Sequence, residues 1–179
     1  MATLTIKLPP QKEQTDFNLR RWNDLLADPE MAKIEGRVET DRFGHVIMSP
    51  PPFSKHSRFQ GRIALLLGRH MSGGEVLTEC PISTADGVRA ADVAWASDDC
   101  IKELGNRSCF PRSPEICVEV LSPGNIDAEI QEKMALYFDA GAQEVWLCET
   151  SGAMKFFAGT KPVPTSKLCP DFPVKIELR

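Results

Sequence analysis

Three residues have the types and setting to do chemistry. Glu119 lies within Glu115-Ile116-Cys117-Val118-Glu119-Val120-Leu121-Ser122-Pro123, a run that otherwise reads as a buried strand. A lone ionised carboxylate in a dry core is costly, so such a residue is either protonated or paired with a cation. Asp92 has a similar setting in Val88-Arg89-Ala90-Ala91-Asp92-Val93-Ala94-Trp95, and Lys133 falls near the core-facing stripe of the helix that follows Glu119. Two strand carboxylates supply hard oxygen ligands for Mg²⁺ or Mn²⁺ and leave positions for water and phosphate. The metal would acidify the water, and the lysine would orient it or stabilise the transition state. That is the chemistry of phosphodiester cleavage.

Each residue also has a plainer reading. A strand carboxylate can pair with an arginine such as Arg89, and a lysine at the edge of an apolar helix face can snorkel to water. Two carboxylates on neighbouring strands plus a lysine are harder to explain that way. The link Leu121-Ser122-Pro123-Gly124-Asn125 is short enough for Lys133 to fold back over Glu119.

The elements that must position them follow from periodicity and punctuation. Asp16 to Leu26 has apolar positions at helical spacing and predicts a short helix. Arg37 to Thr40 and His45 to Ser49 flank Gly44 as a hairpin, and Pro50, Pro51 and Pro52 then stop regular structure. Ser54 is the expected cap of a helix to His70, with Phe59, Ile63, Leu66 and Leu67 on its apolar side. Lys55, Arg58, Arg62 and Arg69 form a basic stripe beside that face. It is either a solvated edge or a guide for a nucleic-acid backbone.

After Gly73-Gly74, strands are expected at Glu75–Cys80, Val88–Trp95 and Glu115–Leu121, with a turn at Asp86-Gly87. Residues 97–114 read as a polar, proline-containing loop. Asn125 is the expected cap of the next helix, whose face is Ile126, Ile130, Met134, Tyr137 and Phe138, and Gly141 ends it. Gln143–Glu149 and Ala153–Phe157 form a hairpin across Ser151-Gly152, and Val174–Leu178 a last strand. Helix, three strands, helix, strand is an α/β arrangement.

The bulk properties bound the answer. A chain of 179 residues with 42% hydrophobic and 26% charged content suits one domain of ordinary size. No apolar run approaches the length needed to span a membrane. The first ten residues show no signal-peptide pattern, so a cytoplasmic location is expected. Six cysteines occur without a C-x-x-C pair and beside only three histidines, which supports reduced core thiols over zinc. A net charge of −4 argues against strong non-specific nucleic-acid binding, although acidic residues around a bound metal do not repel phosphate.

Asp92, then Glu119 in Val118-Glu119-Val120-Leu121-Ser122-Pro123, then Lys133 in Glu132-Lys133-Met134-Ala135-Leu136-Tyr137-Phe138-Asp139-Ala140-Gly141-Ala142-Gln143-Glu144-Val145-Trp146 resembles the Uma-type endonucleases of the PD-(D/E)XK restriction-endonuclease-like superfamily. The similarity spans about Arg37 to Phe157. Val46-Ile47-Met48-Ser49-Pro50 and His56 look like the family's entry hairpin and helix start. Two positions depart from the pattern: Ala91 stands where a proline precedes the aspartate, and Leu121 stands at the superfamily's usual lysine position. In this family the lysine comes from the following helix, where Lys133 fills the place.

The resemblance implies an αβββαβ core with a mixed central sheet flanked by helices, formed by residues 36–179, with 1–35 as an N-terminal extension. It implies Asp92, Glu119 and Lys133 as the catalytic set, with Asp92 and Glu119 holding Mg²⁺ or Mn²⁺. Glu39, His56 and Gln60 are accessory candidates. The expected activity is metal-dependent cleavage of DNA. The competing classes are a catalytically inactive binding or regulatory module and a hydrolase of another phosphoester. Cutting both strands calls for two active sites, so a homodimer is expected. The hairpin bearing Trp146, Phe156 and Phe157 is either its interface or part of the core.

Overall fold

The computed structural model describes residues 10–178. The signal-peptide reading of residues 1–9, the first nine residues of the expected extension, and Arg179 lie outside that range.

Two short strands, β1 (Arg37–Thr40) and β2 (Val46–Ser49), pair antiparallel as the expected hairpin. The main sheet has the order β3-β4-β5-β6-β7-β8. Its strands are β3 (Glu75–Thr84), β4 (Gly87–Ala96), β5 (Ile116–Val120), β6 (Glu144–Cys148), β7 (Met154–Ala158) and β8 (Lys161–Val163). Among the described strands only β5 and β6 run parallel, joined by helix α4 (Asp127–Asp139), so the sheet is mixed. With α2 (Ser54–His70) preceding β3, the chain order reproduces the expected αβββαβ core.

Alternation along the strands divides the core into two layers. On one face Phe59, Ile63 and Leu67 of α2, each one turn apart, pack with Val93, Val118, Trp146 and Phe156. On the other, Ile130, Met134 and Tyr137 of α4 pack with Ala94, Cys117, Val145 and Leu147. Glu119 shares the strand face of Cys117 and therefore points towards α4.

The first helix, α1 (Gln11–Ala27), is longer than the predicted Asp16–Leu26. A polar lock fastens it to the β3–β4 turn: the buried Asn18 Nδ2 donates to Ser83 Oγ and Thr84 O, each at 2.9 Å, while Gln14 Nε2 donates to Asn18 Oδ1 at 2.8 Å.

Several local expectations are corrected. Ser54 is the first helical residue rather than the cap, a position taken by Phe53 without a side-chain bond. Ile126 likewise caps α4, while Asn125 Oδ1 accepts from the Ser122 N–H at 2.5 Å and closes the preceding turn. The supposed loop 97–114 contains helix α3 (Asp98–Leu104), capped by Ser97 Oγ accepting from the Cys100 N–H at 3.2 Å. Val174–Leu178 is not a strand. It meets the sheet at a single bridge, Ala153 to Lys175, and β8 takes the sheet edge instead.

Gly141 ends α4 as expected, through a paired C-terminal closure. Its N–H bonds to Phe138 O at 3.0 Å, and the Ala142 N–H bonds to Tyr137 O at 2.9 Å. These are the two bonds of the Schellman motif, which needs a residue at positive φ, here 109°.

Trp146 and Phe156 are buried with Phe172 in an aromatic cluster, the Trp146 and Phe172 ring centroids 4.7 Å apart. For Trp146 and Phe156 the core reading therefore holds, while Phe157 is only partly buried. All six cysteines are buried as free thiols, and burial pushes Cys109, Cys117 and Cys148 up to about 12. Among the described residues no helix is long and apolar enough to cross a membrane.

Candidate active site

Three adjacent strands, from the edge strand β3 through β4 to β5, meet in one row of carboxylates. The β3–β4 register pairs Thr78 with Val93 and Cys80 with Ala91, so Glu79 faces Asp92 between them without joining the ladder. The β4–β5 ladder stops at Val93 and Val118, one position short of bringing Asp92 opposite Glu119. Residues directly opposite on antiparallel strands share a face. The row therefore reads Glu79, Asp92, Glu119 across β3, β4 and β5. Glu79 has φ 51°, the only non-glycine at positive φ among the described residues. Such backbone is seldom tolerated unless its surroundings hold it in place.

Asp92 is nearly inaccessible, and its carboxylate does the work of the missing ladder. One oxygen accepts from the Val120 N–H at 2.6 Å and lies 3.2 Å from His56 Nε2, and the other meets Arg37 Nη2. Gln60 Nε2 holds the Asp92 carbonyl at 2.9 Å and Glu79 Oε1 at 2.7 Å. Arg37 reaches in from β1 and grips Glu79 through Nε at 2.8 Å and Nη2 at 3.0 Å.

Glu119 is equally engaged. Tyr137 donates its hydroxyl to one oxygen at 2.8 Å, and Lys133 Nζ donates to the other at 3.1 Å. Lys133 also donates to Ala90 O at 2.9 Å and pairs with Glu39 at 3.1 Å. Its three ammonium protons thus have three acceptors, which sets aside the snorkelling alternative. The second face of the Glu39 interaction is structural: its Oε1 accepts from the Ala90 N–H at 2.7 Å.

These surroundings drive the two carboxyls apart. Burial alone would raise Asp92, but His56 and Arg37 outweigh it and hold the group below the usual carboxylate range. Burial raises Glu119, and Asp92 adds to the rise, so that Lys133 compensates only in part. Burial also favours neutral Lys133, yet Glu119 and Glu39 overcome it and keep the amine charged. The hydrogen bond to Asp92 raises His56 against the opposing effect of burial. His56 Nδ1 is buried without a hydrogen-bond partner among the described residues.

Arg37, Glu39, His56, Glu79, Asp92, Glu119 and Lys133 line one cleft of about 940 Å³. Its exposed lining is mixed, with Met48 and Phe53 on one part and Asn125, Glu129 and Glu132 on another. Of the sequence-derived residues, Asp92, Glu119, Lys133, Glu39 and His56 come together there, while Gln60 stands behind Asp92. Arg58 and Arg62 do not line this cleft, and Lys55 lines a smaller apolar pocket beside it. Among the described residues, no three or more of His, Cys, Asp and Glu are grouped as a ready-made metal site; Asp92 is paired with Arg37 and Glu119 with Lys133. Sequence reasoning overlooked Arg37, Glu79 and the Tyr137 hydroxyl. The available signals were a charged residue directly after Gly36, a glutamate within a strand, and a tyrosine on a face otherwise purely apolar.

A mixed sheet with α2 and α4 on opposite faces, and a cleft where two adjacent strands and the following helix converge, defines a restriction-endonuclease-like α/β protein. More specifically, the family model described as "Uma2: Putative restriction endonuclease" matches residues 24–154, and the chain belongs to that family. The fold is shared with a solved structure described as a "putative nuclease belonging to DUF820" from Anabaena variabilis ATCC 29413. That structure has a TM-score of 0.66 at 17% identity, and the match covers 82% of this chain and 92% of that one. No curated protein matches the chain.

Proposed function

We propose that the protein is a divalent-metal-dependent endonuclease that hydrolyses phosphodiester bonds in DNA. The observation that carries this reading is the convergence of Asp92 and Glu119, from adjacent strands, with Lys133 in one cleft. The donor set fits the metal: two carboxylates offer hard oxygens, suited to Mg²⁺ or Mn²⁺ rather than to a thiolate-seeking ion. Asp92 and Glu119 would hold it. When bound, such an ion acidifies water and neutralises charge on the phosphate.

The chain's own residues do the rest. Lys133, charged and fixed by three acceptors, supplies a positive group at the cleft wall for the developing phosphate charge. Tyr137 fixes the Glu119 carboxylate, and Gln60 fixes the Asp92 backbone. His56 steadies Asp92 through Nε2. Lys55, Arg58 and Arg62 on α2 would meet the flanking backbone of the DNA, and a homodimer would supply the second active site for cutting both strands. Buried reduced thiols fit a reducing compartment such as the cytoplasm.

One observation favours the second reading, a nuclease-fold binding module without turnover: every oxygen of Asp92 and Glu119 already has a partner in the chain. Incubating supercoiled plasmid with the protein and Mg²⁺ or Mn²⁺ separates the two. Nicking by wild type that is lost in Asp92→Ala supports the endonuclease. DNA retention without any nicking, in either metal, supports the module.

A further inference from the structure

Among the described residues Arg37 is the one permanent cation in contact with Asp92, and its placement is built rather than incidental. Gly36, at φ 106° and tight against the Ser49 carbonyl, delivers β1 so that the guanidinium enters the cleft. The fork bridges two anions of different exposure. Asp92 is 2% exposed at its side chain, whereas Glu79, at the mouth, is 47% exposed. Glu79 grips two guanidinium nitrogens, and its unusual backbone is what turns it out of the ladder towards Arg37 and Gln60.

Within this network, four carboxylates (Glu39, Glu79, Asp92 and Glu119) face two permanent cations, Arg37 and Lys133. A divalent cation settling on Asp92 would face the like charge of Arg37 at contact distance. The bond to Asp92 would then yield, while the pair with Glu79 would remain. That would leave a planar guanidinium tethered at the cleft mouth with donors to spare, and a phosphodiester is the bidentate acceptor such a fork matches best.

We propose that Arg37 is an exchangeable counter-ion: it neutralises Asp92 in the metal-free protein, gives way there to a divalent cation, and takes the phosphate of the substrate strand while Glu79 tethers it. This role rests on the metal-dependent reading above. Arg37 becomes both a competitor of the metal and a binder of substrate, two properties a purely structural ion pair would not combine.

Calorimetric titration with MnCl₂ tests it, using wild type, Arg37→Gln, Arg37→Lys and Asp92→Asn, each checked for folding by circular dichroism. Removing a charge in contact with Asp92 should tighten Mn²⁺ binding by about tenfold or more in Arg37→Gln. Arg37→Lys, which keeps the charge but loses the fork, should fall between. In the nicking assay Arg37→Gln should raise KM for DNA despite its tighter metal. Mn²⁺ binding that is unchanged or weakened in both folded variants overturns the exchange and leaves the metal site standing. If wild type and the Arg37 variants all fail to bind Mn²⁺, the exchange and the metal-dependent reading fall together. Should Arg37→Gln not fold, Arg37→Lys decides alone, an affinity at or below wild type counting against the proposal.

Discussion

Asp92 and Glu119 stand opposite each other at the frayed end of the β4–β5 ladder, and their surroundings drive their acidities in opposite directions. Asp92 is gripped by Arg37, His56 and a backbone N–H. Glu119, held by Tyr137 and Lys133, is pushed towards its neutral form by burial. Paired carboxyls with diverging acidities are a common basis for dividing tasks in an active site. Here the division comes from which helix or strand covers each residue: α2 and β1 cover Asp92, and α4 covers Glu119.

Lys133 should be important for stability as well as chemistry. Lys133→Met leaves Glu119 and Glu39 buried beside each other without their cation, and breaking a buried pair in this way costs about 3–5 kcal/mol. Adding Glu119→Gln should restore part of that loss. Urea denaturation of the two single variants and the double variant checks the coupling, and strictly additive losses would mean that the pair contributes nothing.

Ser97 links α3 to β5 and should confer a pH-dependent increment of stability. Its Oγ caps α3 and also donates to Glu115 Oε1 at 2.7 Å, while its N–H donates to Oε2 at 2.9 Å. Burial would raise Glu115, but these bonds outweigh it and hold the group below its ordinary 4.5. A lowered carboxyl stabilises the fold above its ordinary value, and that contribution fades as pH falls through the lowered one. Ser97→Ala should cost about 1 kcal/mol at neutral pH through the lost cap, with a further, pH-dependent part from the lost Oγ bond to Glu115. The difference from wild type should shrink in acid below pH 4.5, as seen in melts across the range. A constant difference would remove Glu115 from the account.

The six thiols should be inert in the folded protein. All are buried, and burial raises those of Cys100, Cys109, Cys117 and Cys148 to between about 11 and about 12. Only thiolate reacts with a disulfide reagent, so labelling at pH 8 should be slow and should follow global unfolding. Rapid labelling of any one cysteine in the native state would mean that its part of the core opens locally.

The core of this architecture was readable because its signals are local. Phe59, Ile63 and Leu67 repeat at helical spacing, Pro50 to Pro52 fix where α2 can begin, and Gly141 fixes where α4 ends. Helix α3 escaped because seven residues are too short for periodicity, although Ser97-Asp98-Asp99 is a helix-start pattern. Ser54 and Asn125 have the right chemistry for caps, but the helices begin a residue away from where they could serve. Asp92, Glu119 and Lys133 stood out because charge interrupts an apolar run. Arg37 and Glu79 did not, since their meaning arises only when residues 42 and 55 positions apart are brought together across strands.

On this reading a divalent cation acts at the Asp92–Glu119 pair. A crystal grown with Mn²⁺, measured for its anomalous signal, tests this most directly. A manganese peak is expected within about 2.0–2.6 Å of oxygens from both Asp92 and Glu119, with Arg37 moved off Asp92. Crystals at millimolar Mn²⁺ with no peak in this cleft, and with Arg37 still seated on Asp92, would contradict it.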